Sequence, residues 1–126
     1  MDKKVLYSAV VLDDISKTKI LNSVQIPDGW EIICHHFTLC LGAVPEDKKY
    51  LLGKNVELIG NQIGQTDKAL ALKVNNFQRF MPGTSHITIA INKSAGAKPK
   101  DSNEINIWND LGTTLYLSGN VEEITK

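Results

Sequence analysis

The chain has 126 residues, 42% of them hydrophobic, with fourteen Lys and Arg balanced by fourteen Asp and Glu. That length suits a single domain over residues 1–126 with a real core, and the apolar content excludes a disordered chain. Zero net charge argues against long duplex nucleic acid as a partner, where affinity comes mainly from neutralised phosphates, but it leaves room for a small ligand held by a local basic patch.

Residues 5–12 are apolar and β-rich and predict a first strand. Asp13 or Asp14 offers an N-cap to a helix ending near Ser23, with Ile15, Ile20, Leu21 and Val24 as its apolar stripe. Ile26-Pro27-Asp28-Gly29 is a turn sequence, because Pro fixes φ and Asp-Gly favours reversal. Residues 30–41 predict a second strand. A charged connection follows over residues 42–54, with one helical turn at residues 46–51. Residues 56–62 and 69–74 predict a strand pair, turned at Gly64-Gln65-Thr66-Asp67. A loop over residues 75–84 leads into a strand at residues 85–91. Residues 92–100, with Gly96 and Pro99, read as a flexible loop, residues 101–108 as a short helix and residues 115–124 as a last strand. Composition and element order alone give an α+β class.

The two cysteines, Cys34 and Cys40, fall six apart in one predicted strand. Six residues of strand span roughly 20 Å, beyond the reach of a disulfide, so reduced thiols in an intracellular protein are expected. No apolar run reaches the length of a membrane span. Met1-Asp2-Lys3-Lys4 is not followed by the apolar region of a signal peptide, because Tyr7, Ser8 and Asp13-Asp14 interrupt it. The chain therefore reads as soluble and cytoplasmic, without a membrane partner.

Two strands carry the same pattern. Cys34-His35-His36-Phe37-Thr38-Leu39 and Ser85-His86-Ile87-Thr88-Ile89 each contain His-x-Thr followed by an aliphatic residue. Side chains alternate along a strand, so His36 and Thr38 share a face, as do His86 and Thr88. Phe37, Leu39, Ile87, Ile89 and Ile91 take the opposite, core-facing side. If the strands sit across a cleft, that cleft holds two imidazoles and two hydroxyls, an apparatus for general acid/base work on a phosphodiester. The competing reading is two amphipathic strands whose polar faces carry ordinary His and Thr.

The paired His-x-Thr-aliphatic motifs resemble the signature of the 2H phosphoesterase superfamily, the LigT-like enzymes and RNA cyclic phosphodiesterases. The segments Tyr7-Ser8-Ala9-Val10-Val11-Leu12, Ile26-Pro27-Asp28-Gly29-Trp30-Glu31 and His35-His36-Phe37-Thr38 running into Leu41-Gly42 are similar to the small phage-encoded members that act as anti-CBASS cyclic-oligonucleotide phosphodiesterases. A closing Gly-x-Val at Gly119-Asn120-Val121 extends the likeness over most of the chain. The resemblance implies a two-lobed, mostly antiparallel sheet with outer helices and an active site in a central groove. It implies His36, Thr38, His86 and Thr88 as the catalytic set and a cyclic di- or trinucleotide immune signal as substrate.

In that scheme one neutral histidine takes the 2′-OH proton as O2′ attacks phosphorus, and the other, protonated, delivers a proton to the leaving 5′-oxygen. The two threonines donate to the non-bridging oxygens as charge builds. Which histidine is the base stays open. No metal and no other cofactor enters the scheme, and the protein is expected as a monomer or small homo-oligomer. Rival readings are an RNA-processing 2′,3′-cyclic phosphodiesterase and a non-catalytic protein that sequesters a cyclic nucleotide. Five residues are candidate ligand contacts: Tyr7 for base stacking, Arg79 (the only arginine) for phosphate, Trp108 as part of a lid, and Glu122 or Glu123 for a base edge. For each the alternative is packing or a solvated charge. His35 reads as structural, adjacent to the core face. Cys34, His36 and Cys40 lack the paired spacing of a zinc site.

Overall fold

The computed structural model describes residues 4–125. Met1 to Lys3, where the reading of no signal peptide begins, lie outside the described residues. Seven strands form one sheet: β1 (Val5–Leu12), β2 (Glu31–Ile32), β3 (His36–Leu41), β4 (Asn55–Gln65), β5 (Ala69–Lys73), β6 (His86–Ile91) and β7 (Asn109–Thr125). Their order is β2-β6-β3-β1-β7-β4-β5, and a further pairing of β6 with β5 closes six of them into a barrel. Every pairing is antiparallel. Closure pairs the edges of those strands, which leaves no long open edge for another chain. The mostly antiparallel sheet agrees with the sequence reading. The sheet is continuous around a closed circuit, because Ala69–Lys73 pairs with both β4 and β6.

The barrel interior is filled by the inward parity of each strand. Val10, Phe37, Leu39, Leu58, Leu70, Leu72, Ile87, Ile89 and Val121 are all essentially inaccessible to solvent. A Cβ on Gly119 would overlap the carbonyl of Val11 on the neighbouring strand and press on Val10. Backbone cannot yield as a side-chain tip can. Gly119→Ala is therefore expected to cost about 1–3 kcal/mol, read as a lowered denaturant midpoint with unchanged slope.

One α-helix is present among the described residues, α1 (Asp14–Ser23), together with three short 3-10 helices. Asp13 is its N-cap, accepting from the Ser16 amide at 2.8 Å. The helix docks on β7 through polar contacts: Ser118 N–H donates to Ser16 Oγ at 2.8 Å, and Ser118 Oγ donates to the Asp13 carboxylate. Only Ser16 and Ile20 of the helix are buried, so the expected stripe narrows, and Ile15 is 71% exposed. No helix among the described residues is long and apolar enough to cross a membrane.

Two departures from the sequence reading bear on the site. The strand predicted over residues 30–41 is broken into β2 and β3. Between them Cys34 adopts a left-handed φ of 36°, and its amide is shared between the carbonyls of Thr88 and Ile89 at 3.1 and 3.2 Å. The segment read as a flexible loop over residues 92–100 holds a 3-10 turn, Lys93–Ala95, and the start of a 3-10 helix, Pro99–Glu104. The short helix predicted over residues 101–108 is that same element, shifted towards the N-terminus.

Candidate active site

β3 and β6 meet at a single bridged pair, Phe37 opposite Ile87, both fully buried. Antiparallel register then sets His36 against Thr88 and Thr38 against His86 on the other, outward face. The two motifs are thus neighbours along one seam of the barrel wall, with each imidazole opposite a hydroxyl. All four side chains line one groove of about 300 Å³, within the range of small-molecule sites.

The kink at Cys34 shapes the first half of the site. It turns His35 to the surface, where its Nδ1 lies 3.0 Å from Nδ1 of His36. The structural, core-adjacent role read for His35 is corrected by this: the left-handed residue before it breaks the strand parity on which that reading stood. Tyr7, on β1, stacks on the other side of His36 with ring centroids 5.0 Å apart and planes 29° apart. Tyr7 therefore belongs to the groove rather than the core. Burial, with the neighbouring His35 imidazole adding to it, pushes His36 down to about 4.

The second half is held differently. His86 Nδ1 donates to the Thr84 carbonyl at 2.8 Å; a carbonyl only accepts, so Nδ1 carries the proton and Nε2 is left free. Burial lowers the pKa of His86, the Thr84 bond opposes that shift, and nearby Arg79 adds to the lowering. The Thr88 hydroxyl is 2.9 Å from Ser102 Oγ on the 3-10 helix Pro99–Glu104. Ser102 is itself 1% exposed, so this helix is anchored against the motif strand.

Arg79 is 8% exposed, which excludes the alternative reading of a solvated loop charge. Its guanidinium donates to Asn103 Oδ1 at 3.2 Å and to the Pro82 carbonyl, and its Nε has no partner. No carboxylate pairs with it among the described residues. The groove wall carries Arg79 and Lys100 and no Asp or Glu. A desolvated cation without a counter-charge is costly, and an anionic ligand would offset that cost. Ile33, Leu41 and Met81 give the same groove an apolar side, with Leu41 78% exposed.

Three of the expected contacts lie elsewhere. Trp108 packs on Ala69, Ala71 and Ile105 outside the barrel wall. Glu123 accepts from Lys49 Nζ at 3.0 Å and from the Val44 amide at 2.9 Å, tying β7 to the connection after β3. Glu122 is exposed on β7. Lys100, Asn103 and Ser102 were missed in the sequence. The one local cue was Pro99 followed by Asp101, which accepts from the Lys98 amide at 2.8 Å and starts their helix. Both cysteines are free and buried, and burial raises the Cys34 thiol to about 11, which keeps it protonated at neutral pH. Among the described residues no group of three or more His, Cys, Asp or Glu is placed to hold a metal ion.

The depressed His36 pKa links to stability with a definite sign. The unfolded imidazole titrates near 6.5 and the folded one near 4, so the unfolded state binds more protons between those values. The stabilisation is present above pH 6.5 and is lost as pH falls through that window. We expect a loss on the order of 2 kcal/mol between pH 7 and pH 4. It should be reduced in His36→Gln when both proteins are unfolded by urea across that range.

No protein-family model matches the chain, and no curated protein matches it.

Proposed function

We propose that the protein is a metal-independent phosphodiesterase of the 2H type that cleaves 3′–5′ bonds of cyclic di- or trinucleotide immune signals, a phage counter-defence enzyme acting in the cytoplasm of the infected cell. The observation that carries this reading is the groove itself. Two imidazoles and two threonine hydroxyls share a wall that has a buried, unpaired arginine and no carboxylate. In this reading β1 and β3 belong to one lobe of a 2H fold and β5 and β6 to the other, with the β3–β6 seam as the floor of the central groove.

His36, held neutral, is the general base for the ligand's 2′-OH. His86, fixed by Thr84 with Nε2 forward, is the general acid for the leaving 5′-oxygen. Thr38 and the Arg79 guanidinium stabilise charge on the non-bridging oxygens. Tyr7 and the apolar side at Leu41 and Met81 offer faces to the bases. The scheme requires His36 neutral and His86 protonated. Both imidazoles titrate below the ordinary histidine value, so the free-enzyme profile, kcat/KM against pH, is expected to peak below pH 6.5. A peak above pH 7.5 would remove these two imidazoles as the acid–base pair.

The direct test is chromatography of 3′,3′-cyclic GMP–AMP and of a cyclic tri-adenylate after incubation with the protein in EDTA. Linear products are expected. Intact nucleotides from an otherwise folded protein would overturn the substrate, and RNA ends bearing 2′,3′-cyclic phosphates would be tested next.

A further inference from the structure

We propose that His35 is the positioning residue for His36: its Nδ1 accepts the Nδ1–H of His36, fixing the tautomer whose free Nε2 faces the groove. The direction of the bond rests on the phosphodiesterase reading, while the contact itself stands on geometry.

Two ring nitrogens 3.0 Å apart must share one proton, because neutral imidazole has one N–H. One arrangement has His35 Nδ1–H donating to His36. That leaves His36 with its proton on Nε2, on the groove side, and with no lone pair there to take a proton from a ligand. A general base needs that lone pair. The other arrangement has His36 donating to His35. His35 is exposed, so water satisfies its own Nε2–H, and the Nε2 lone pair of His36 is left open to the groove. The second arrangement is the one that a general base at His36 requires.

The surroundings hold the pair in place. Tyr7 from β1 stacks on the His36 ring, and the two histidine rings meet edge to face with centroids 5.2 Å apart. The His35 carbonyl accepts from the Leu12 amide at 3.0 Å, which anchors its backbone to the end of β1. The other polar or charged groups that line the groove with His36 are Thr38 from β3, His86 and Thr88 from β6, Arg79 from the preceding loop, and Lys100 and Asn103 from the 3-10 helix. Of all these, only His35 makes a hydrogen bond to the His36 ring.

The catalytic consequence follows the logic of a nucleophile, a base and a group that orients the base. As O2′ bonds to phosphorus and the P–O5′ bond breaks, the 2′-OH proton passes to His36 Nε2 and His86 gives its proton to O5′. His36 is then an imidazolium whose Nδ1–H still points at His35. The two histidines of the site are thus backed by different acceptors. A backbone carbonyl holds His86, and a side chain, open to substitution, holds His36.

The test combines nitrogen-15 NMR of the imidazoles with kinetics on 3′,3′-cyclic GMP–AMP, using the full chain, His35→Ala and His35→Asn. The parent is expected to show His36 as a single tautomer protonated on Nδ1. In His35→Ala, His36 should revert to a mixture of tautomers, with kcat down about 10- to 100-fold, KM unchanged and the acid limb of the pH profile moved. His35→Asn supplies an acceptor oxygen and should restore part of both. His36 protonated on Nε2 in the parent overturns the pairing even if no variant folds. An unchanged His36 tautomer and kcat in folded His35→Ala overturns the positioning role. If the parent cleaves no cyclic nucleotide, the phosphodiesterase reading falls, and the tautomer measurement still decides the pairing.

Discussion

His36→Ala and His86→Ala are each expected to lower kcat for cleavage of 3′,3′-cyclic GMP–AMP by about 10²–10⁴-fold, the range supplied by one positioned acid or base. The two losses should not add, because proton removal and proton delivery belong to one displacement and either gap leaves it incomplete. The fold should survive both changes. The imidazoles stand on the outer face of the barrel wall, while the core below them is made by Phe37 and Ile87. His36→Ala removes the stack on Tyr7 of β1 and the contact with His35, while the backbone ladder between β1 and β3 remains. Thermal unfolding followed by circular dichroism would therefore show a midpoint near that of the parent, which separates lost chemistry from lost structure. Undiminished cleavage by either folded variant would remove that histidine from the mechanism. Thr38→Ala is a useful companion. Thr38 makes no side-chain hydrogen bond to protein among the described residues, so its effect should fall on kcat rather than on stability.

Phe37→Ala carries the largest expected effect on stability, about 3–5 kcal/mol. Its ring is fully buried, meets Phe77 edge to face with centroids 5.9 Å apart, and lies at the only bridged pair between β3 and β6. Elsewhere the circuit is secured by longer ladders, such as the five pairs between β5 and β6. The cavity therefore opens at the weakest seam of the barrel, where the two motifs meet. Urea unfolding would measure the loss. The sharper comparison is with Leu58→Ala, equally buried but on β4. Both variants should be destabilised, whereas only Phe37→Ala should shift the imidazole resonances of His36 and His86 in the folded protein. Equal shifts in both variants would mean that the seam is not what sets the site's geometry.

Much of the site was legible before any coordinates. Alternation along a strand is local chemistry: Phe37 and Ile87 must face the core, so His36, Thr38, His86 and Thr88 face away, and the structure gathers all four in one groove. The helix N-cap, offered by Asp13 or Asp14 and taken by Asp13, and the helical turn at Glu46–Leu51 were equally local. The kink at Cys34 was not. A left-handed cysteine has no signature of its own, since its conformation is imposed by the carbonyls of Thr88 and Ile89 that share its amide. That kink is what makes His35 a neighbour of His36 instead of a core residue. The burial of Arg79 was hidden for a similar reason, because it depends on Asn103, 24 residues further along, folding over it.

Sequence by itself determined the face on which each motif residue stands, because a period of two needs only neighbouring residues. Tertiary structure alone decided that the motif strands lie side by side, that β5 closes the barrel onto β6, and that Trp108 and Glu123 are spent on packing and a tie to Lys49. Those outcomes depend on contacts between residues far apart in the chain, where alternative pairings of similar apolar strands compete and only the assembled core selects one.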